Sequence, residues 1–202
     1  MFYIGIDLGT SACKLLLVDG SGAVLREVTK EYPLSFPQPG WSEQAPEDWW
    51  KAVMQGMSEL LCGFDAAQVV GIGAGGQMHG LVALDEDDNV IRPAILWNDG
   101  RTAKEVDYLN NEIGKGKLSR YTANIAFAGF TAPKLLWMRE NERSNFAKIR
   151  KIMLPKDYIN YKLTGIHCTD YSDASGTLLL DVEHKRWSWK MCQICGGTEE
   201  QL

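Results

Sequence analysis

No stretch of the 202-residue chain reaches the roughly 18 consecutive apolar residues that a membrane-spanning helix needs. Its start, Met1-Phe-Tyr-Ile-Gly5, lacks the charged segment and apolar run of a signal peptide, so a cytoplasmic protein is expected. Cations are not in excess: 21 Lys and Arg stand against 26 Asp and Glu, giving a net charge of -5. The basic residues are also scattered, which excludes a nucleic-acid footprint and a juxtamembrane cluster. There is no G-x-x-x-x-G-K-[ST], so nucleotide chemistry of the P-loop type is excluded. Histidine is scarce (His79, His167, His184), and the five cysteines are odd in number and far apart, which suits reduced thiols. Cys192 and Cys195 form a C-x-x-C, but no second ligand pair stands at the spacing of a zinc site. They read as small residues near a helix end.

What is present is the composition of a folded domain, 45% hydrophobic and 23% charged, which excludes a disordered chain. The length suits one domain with its own core, or two small ones. Phe2–Asp7, Cys13–Val18 and Ala23–Val28 are short β-branched or aromatic runs separated by tight turns, so the chain opens as an antiparallel three-strand meander. A Rossmann domain does not start that way, because its first strand feeds a helix. Glu31–Ala45, with Pro33, Pro37 and Pro39, reads as an extended surface stretch. Pro46-Glu-Asp48 opens a helix whose apolar face is predicted to run through Trp50, Val53, Met54, Met57 and Leu61. Strands are predicted at Gln68–Ala74, up to Leu84, at Val90–Leu96, around Ile152–Leu154 and at Thr177–Val182. Helices are predicted at Thr102–Glu112, Ala132–Asn141, Asn145–Arg150 and Lys156–Leu163. The mixture argues for one α/β domain.

Gly71-Ile-Gly-Ala-Gly-Gly76 satisfies G-x-G-x-x-G, but that pattern holds a pyrophosphate only when a helix follows directly. Here Gln77-Met-His-Gly80 and a strand-like run follow, so the glycines are read as allowing close backbone packing and room for a small ligand beside Gln77, Met78 and His79. Asp7-Leu-Gly-Thr-Ser11 carries a stronger signal. An acid at the end of a strand precedes a turn whose N–H groups and hydroxyls suit phosphate, while the carboxylate can hold Mg²⁺ through water and Lys14 adds a cation. An Asp-capped hairpin accounts for this motif equally well when it stands alone. Other concentrations of unusual residues are Leu96–Arg101, Gly129–Lys134, Leu154–Tyr158 and Thr169–Thr177, each at a predicted strand end or helix start, where α/β folds build sites. Taken singly, Trp97 or Asp173 is more often structural, and His79 could be a core histidine.

Taken together, these segments resemble the FGGY family of carbohydrate kinases, nearest to its members acting on D-xylulose. The resemblance rests on Ile4–Ser11 with Lys14, Trp41–Gln44, Gly76–Gly80, Ile95–Arg101, Gly129–Trp137, Leu154–Tyr158 and Ser172–Thr177, in family order across nearly the whole chain. It implies an α/β domain of the actin-like ATPase or ribonuclease H-like kind, a mixed sheet beginning with the meander and flanked by helices. It implies ATP and Mg²⁺ as cofactors, with Asp7, Thr10, Ser11 and Lys14 in the first phosphate loop and Asp7 serving the metal. Met78, His79, Gln77 and Trp97 are the implied sugar-binding residues; glycerol kinases carry Arg-Glu where this chain has Met78-His79. The family's catalytic base lies in a second domain, and no Gly-Gly-x-Asp occurs before Leu202, so residues 1–202 are expected to be the N-terminal domain, inactive alone, with the C-terminal domain absent. The expected partners are a ketopentose, ATP, the missing domain and, as an open possibility, a second copy of the chain. The alternatives are a kinase of another sugar or polyol and a non-catalytic actin-like sugar-binding module.

Overall fold

The computed structural model describes residues 1–202. The meander is there: β1 (Phe2–Leu8), β2 (Ala12–Asp19) and β3 (Val24–Glu31) pair antiparallel, with Ile6 opposite Leu15 and Asp7 opposite Lys14. Alternation sorts the side chains onto two faces. Ile4, Ile6, Leu8, Cys13, Leu15 and Leu17 are buried on one, while Tyr3, Asp7 and Lys14 are exposed on the other.

The stretch before the first helix is not all surface. Ser42, Glu43 and Gln44 are buried; the Glu43 carboxylate pairs with Arg92 and Arg101 and the Gln44 amide is fully hydrogen-bonded, so both residues of β4 (Glu43–Gln44) find partners inside. α1 (Pro46–Leu60) starts at the expected proline, but it buries Trp49, Ala52, Val53, Gly56 and Leu60, and Met54 is exposed. Gly56 accounts for the rotated face: a Cβ there would lie 2.5 Å from Cδ1 of Leu15, so the helix meets the sheet at its glycine.

β5 (Val69–Gly76) joins parallel to β1, completing the order β3-β2-β1-β5. Its glycines are strand to the end and lead into a turn, as their context indicates. β6 (Val82–Leu84) follows, but a continuous strand from Val90 to Leu96 does not. Only β7 (Ala94–Ile95) and two isolated bridges, Leu84 to Val90 and Leu81 to Ile95, form. Pro93 has no N–H for a ladder, and Arg92 turns inward to Glu43 and Glu142.

α2 (Ala103–Asp107) begins where a helix is predicted, then widens to a π-helical stretch over Tyr108–Gly114 and continues as α3 (Lys115–Thr122), which apolar periodicity does not announce. α4 (Thr131–Asn141) matches its prediction, whereas α5 (Arg143–Phe146) is shorter and earlier than expected. β8 (Lys151–Met153), antiparallel to β6, and α6 (Pro155–Thr164) fall where predicted. In the polar run 169–175 the Asp170 carboxylate accepts from the Asp173 N–H, and this cap starts α7 (Tyr171–Ser175). The strand expected from Thr177 is cut to β9 (Leu180–Asp181), since Leu178 sits at φ +62°. β9 pairs with β10 (Arg186–Trp187), and α8 (Trp189–Cys195) buries Cys192 and Cys195.

Two apolar cores result. One lies between the four-stranded sheet, α1 and α6; the other surrounds α4 with α3 and α8. The segment into β6 is shared, with Val82 and Leu84 in the first core and Leu81 and Ala83 in the second. The turn preceding β6 therefore sits at the seam between them. No helix is long and apolar enough to cross a membrane.

Candidate active site at the ends of the first and fifth strands

The Asp7–Ser11 turn is held from behind. The Gly9 N–H donates to the Ala12 carbonyl at 3.0 Å, Gln44 Nε2 donates to the Thr10 carbonyl at 2.7 Å, and the Tyr32 hydroxyl donates to the Gly9 carbonyl. The N–H groups of Thr10 and Ser11 make no hydrogen bond within the protein, and the Asp7 carboxylate is exposed on the open face of the sheet. This leaves two N–H donors beside a carboxylate at one strand end, groups of the kind that meet phosphate oxygens and a cation. Lys14 lies across from Asp7, but its ammonium pairs with Glu27 at 2.9 Å on the exposed surface.

The Gln77 N–H donates to the Leu8 carbonyl at 2.7 Å, bringing the end of β5 and the turn after it against the Asp7–Ser11 turn. Gln77 itself is buried, its Nε2 donating to Gln44 Oε1 at 2.9 Å, so its amide is turned inward. Met78 is exposed, and His79 is half-buried with its ring 4.8 Å from that of Phe130. The Gly80 N–H bonds back to the Met78 carbonyl at 2.8 Å with His79 at φ +63° between them. This is a γ-turn of the strained hand. Gly176 leaves room for the ring, for a Cβ there would lie 2.2 Å from Cε1 of His79 and displace it. Burial, then the nearby Lys134 charge, hold the His79 imidazole below the ordinary histidine pKa, against an opposing pull from Asp173. The ring is therefore neutral at pH 7, able to donate from one nitrogen and accept at the other.

Trp97 is half-exposed, and its indole N–H donates to Oγ1 of Thr10 at 3.1 Å. The Asp7–Ser11 turn and the Trp97 loop, joined between residues 87 positions apart, thus touch directly. A cavity of about 490 Å³ lies elsewhere, among Asp157, Asp170, Tyr171, Trp187 and Leu202, and neither the Asp7–Ser11 turn nor the Met78–His79 pair lines it.

Residues 2–202 match the model of the FGGY family of carbohydrate kinases, N-terminal domain. The chain belongs to the FGGY family of carbohydrate kinases. It is 44% identical over 200 residues to the xylulose kinase of Escherichia coli (strain K12), covering 99% of this chain and 41% of that protein. Its identity to the xylulose kinase of Bacillus subtilis (strain 168) is 45% over 197 residues, covering 96% and 39%. The chain thus spans about two fifths of the length of these relatives. Among solved structures, the "xyloylose kinase" of Brucella ovis superposes with a TM-score of 0.95 at 43% identity, over all of this chain and 42% of that one. The gluconate kinase of Lactobacillus acidophilus does so at 0.93 and 29%, over all of this chain and 41% of that one. The fold is accordingly the actin-like one of these sugar kinases.

The supports of this candidate site are residues that local sequence signals do not single out. Gln44 is a four-way hub: it donates to the Thr10 and Pro33 carbonyls and accepts from Trp49 Nε1 and Gln77 Nε2. Arg101, its side chain buried, lies against the mutually perpendicular rings of Trp41 and Trp137 and pairs with Asp99 and Glu43, both at 2.7 Å. Lys156 is ringed by Asp157, Asp170 and Asp173; burial alone would lower its pKa, but the three acids raise it above the ordinary lysine range. All lie in or beside the segments that carry the family resemblance. Their spacing shows motifs, but only the fold shows which members face inward.

Proposed function

We propose that the chain supplies the first phosphate loop and the sugar-binding surface of an ATP-dependent kinase that phosphorylates D-xylulose at its 5-hydroxyl. The reading rests on one observation above the rest: Trp97 and the Met78–His79 turn both abut the Asp7–Ser11 turn, through Thr10 and Leu8. A sugar held by the one would have its reacting end beside phosphates held by the other. Phosphoryl transfer needs little covalent help from the protein, so such positioning is most of the catalysis. The free N–H groups of Thr10 and Ser11 orient phosphate oxygens. Asp7 is the carboxylate that would hold Mg²⁺, which neutralises phosphate charge when bound. Neutral His79 meets a sugar hydroxyl or carbonyl, and Met78 gives an apolar wall. The proton of the reacting hydroxyl goes to a carboxylate in the second domain, the part of the relatives' length that this chain does not span.

A coupled ADP-release assay on the full-length protein tests the reading against a panel of D-xylulose, other ketoses, gluconate and glycerol. Turnover should be highest with D-xylulose. A clear preference for gluconate or glycerol would assign another substrate of the same family, and sugar binding without ADP release would leave only a binding module.

A further inference from the structure

Lys134, in the first turn of α4, is fully buried, yet no carboxylate pairs with it. Its ammonium contacts two carbonyl oxygens, those of His79 at 3.0 Å and of Gly129. The Thr131 hydroxyl donates to the same His79 carbonyl at 3.1 Å. Gly129 in turn packs against Trp97, since a Cβ on it would lie 2.7 Å from the Trp97 carbonyl. One buried cation thus ties the backbone of one candidate sugar residue to the loop that abuts the other.

Burying an ammonium without a counter-ion is costly, and a leucine or methionine would fill the same space at less expense. What the lysine adds is a pair of directed hydrogen bonds. His79 is the place where these bonds matter, because a non-glycine residue at positive φ in a γ-turn persists only where its surroundings over-determine it. Two donors converge on its carbonyl, Phe130 lies against its ring and Gly176 clears space on the other side. Burial pulls the Lys134 pKa down to about 7, in keeping with a group shut away from water.

We infer that Lys134, with Thr131, is a positioning residue that holds His79 in its strained turn and thereby sets affinity for the sugar. The inference rests on the reading of His79 as a sugar contact. Lys134 touches neither sugar nor phosphate in this role and acts through the His79 backbone.

The test is a double-mutant cycle in the full-length kinase, read as KM for D-xylulose, KM for ATP, kcat and melting temperature. Lys134→Met should raise the ketose KM by about 5- to 150-fold, the range for losing one buried hydrogen bond. The ATP KM should hold within about twofold, and the melting temperature should not fall, because an apolar residue replaces a buried charge. Thr131→Val removes the second donor, keeps the shape and should change the same parameter in the same direction. In a His79→Ala background, where the side chain being positioned is gone, Lys134→Met should add less than about twofold. An unchanged ketose KM in a folded Lys134→Met or Thr131→Val protein overturns the inference, as do effects that multiply in the His79→Ala background. Should Lys134→Met not fold, Thr131→Val alone and combined with His79→Ala decides by the same criteria. If His79→Ala itself leaves the ketose KM unchanged, the sugar assignment of His79 falls and takes the inference with it.

Discussion

Asp7 and Lys134 sit on opposite sides of one balance, an exposed anion with no partner and a buried cation with no counter-ion. On the proposed reading of the Asp7–Ser11 turn as a phosphate site, a bare carboxylate would repel phosphate, so Asp7 calls for a cation between the two. Asp7→Asn keeps the shape and removes the charge. In the full-length kinase it should lower kcat by about 100-fold or more, the scale seen when a charge-stabilising group is removed, with ketose binding nearly intact. Wild-type turnover across a Mg²⁺ titration would make Asp7 a hairpin cap. Lys134 predicts a pH dependence of stability. Its folded pKa of about 7 lies below that of an exposed lysine, so between about pH 7 and 10 the unfolded chain binds the extra proton. Stability from this group therefore rises with pH across that window, by up to about 1.4 kcal/mol per unit. Burial raises the Cys13 and Cys195 thiols to about 12 and Cys192 to about 11, which works the opposite way above about pH 8.5. Urea unfolding at pH 7 and 9 should thus show wild type gaining on Lys134→Met. A pH-independent difference would mean the ammonium is not buried in the folded protein.

The glycines of β5 do different things along one strand. At Gly73 an added Cβ meets nothing within 4 Å, whereas at Gly76 it would lie 2.7 Å from Leu8 Cβ and 2.9 Å from the Leu8 carbonyl. Gly76 is therefore what lets β5 and the turn carrying His79 close against β1. Gly73→Ala should be neutral or add about 0.5–1 kcal/mol by reducing unfolded-state freedom. Gly76→Ala should cost about 1–3 kcal/mol, since the neighbour it strikes includes backbone. Thermal unfolding of the two variants side by side checks this, and equal stabilities would contradict the close contact. The sequence pattern shows the run of glycines and rules out a helix after it, because Gln77–Gly80 and an apolar run follow. It does not show which glycine is pressed. In α1 the same limit appears: apolar residues lie all around Trp49–Leu61, and the contact at Gly56 picks the Trp49 side.

For the molecule as a whole, the two cores that meet along β6 argue that residues 1–202 fold as a unit, while the relatives are more than twice as long. With the base assigned to the second domain, the isolated chain should show no ketose phosphorylation above background in a coupled assay, and clear turnover by purified chain would place a base within it. What the sequence by itself determined was local or carried by ordered motifs: the meander, the turn at Asp7–Ser11, the start of α1 at its proline, and membership in the FGGY family. These depend on alternation, turn residues and proline geometry, which neighbours a few positions apart decide. The tertiary structure alone decided that Trp97 meets Thr10, that Gln77 turns inward to Gln44, and that Lys134 and Thr131 hold His79 at positive φ. Those contacts join residues 33 to 87 positions apart. Their partners are selected by how the two cores pack, and a polar side chain's direction inward or outward leaves no periodic trace in the chain.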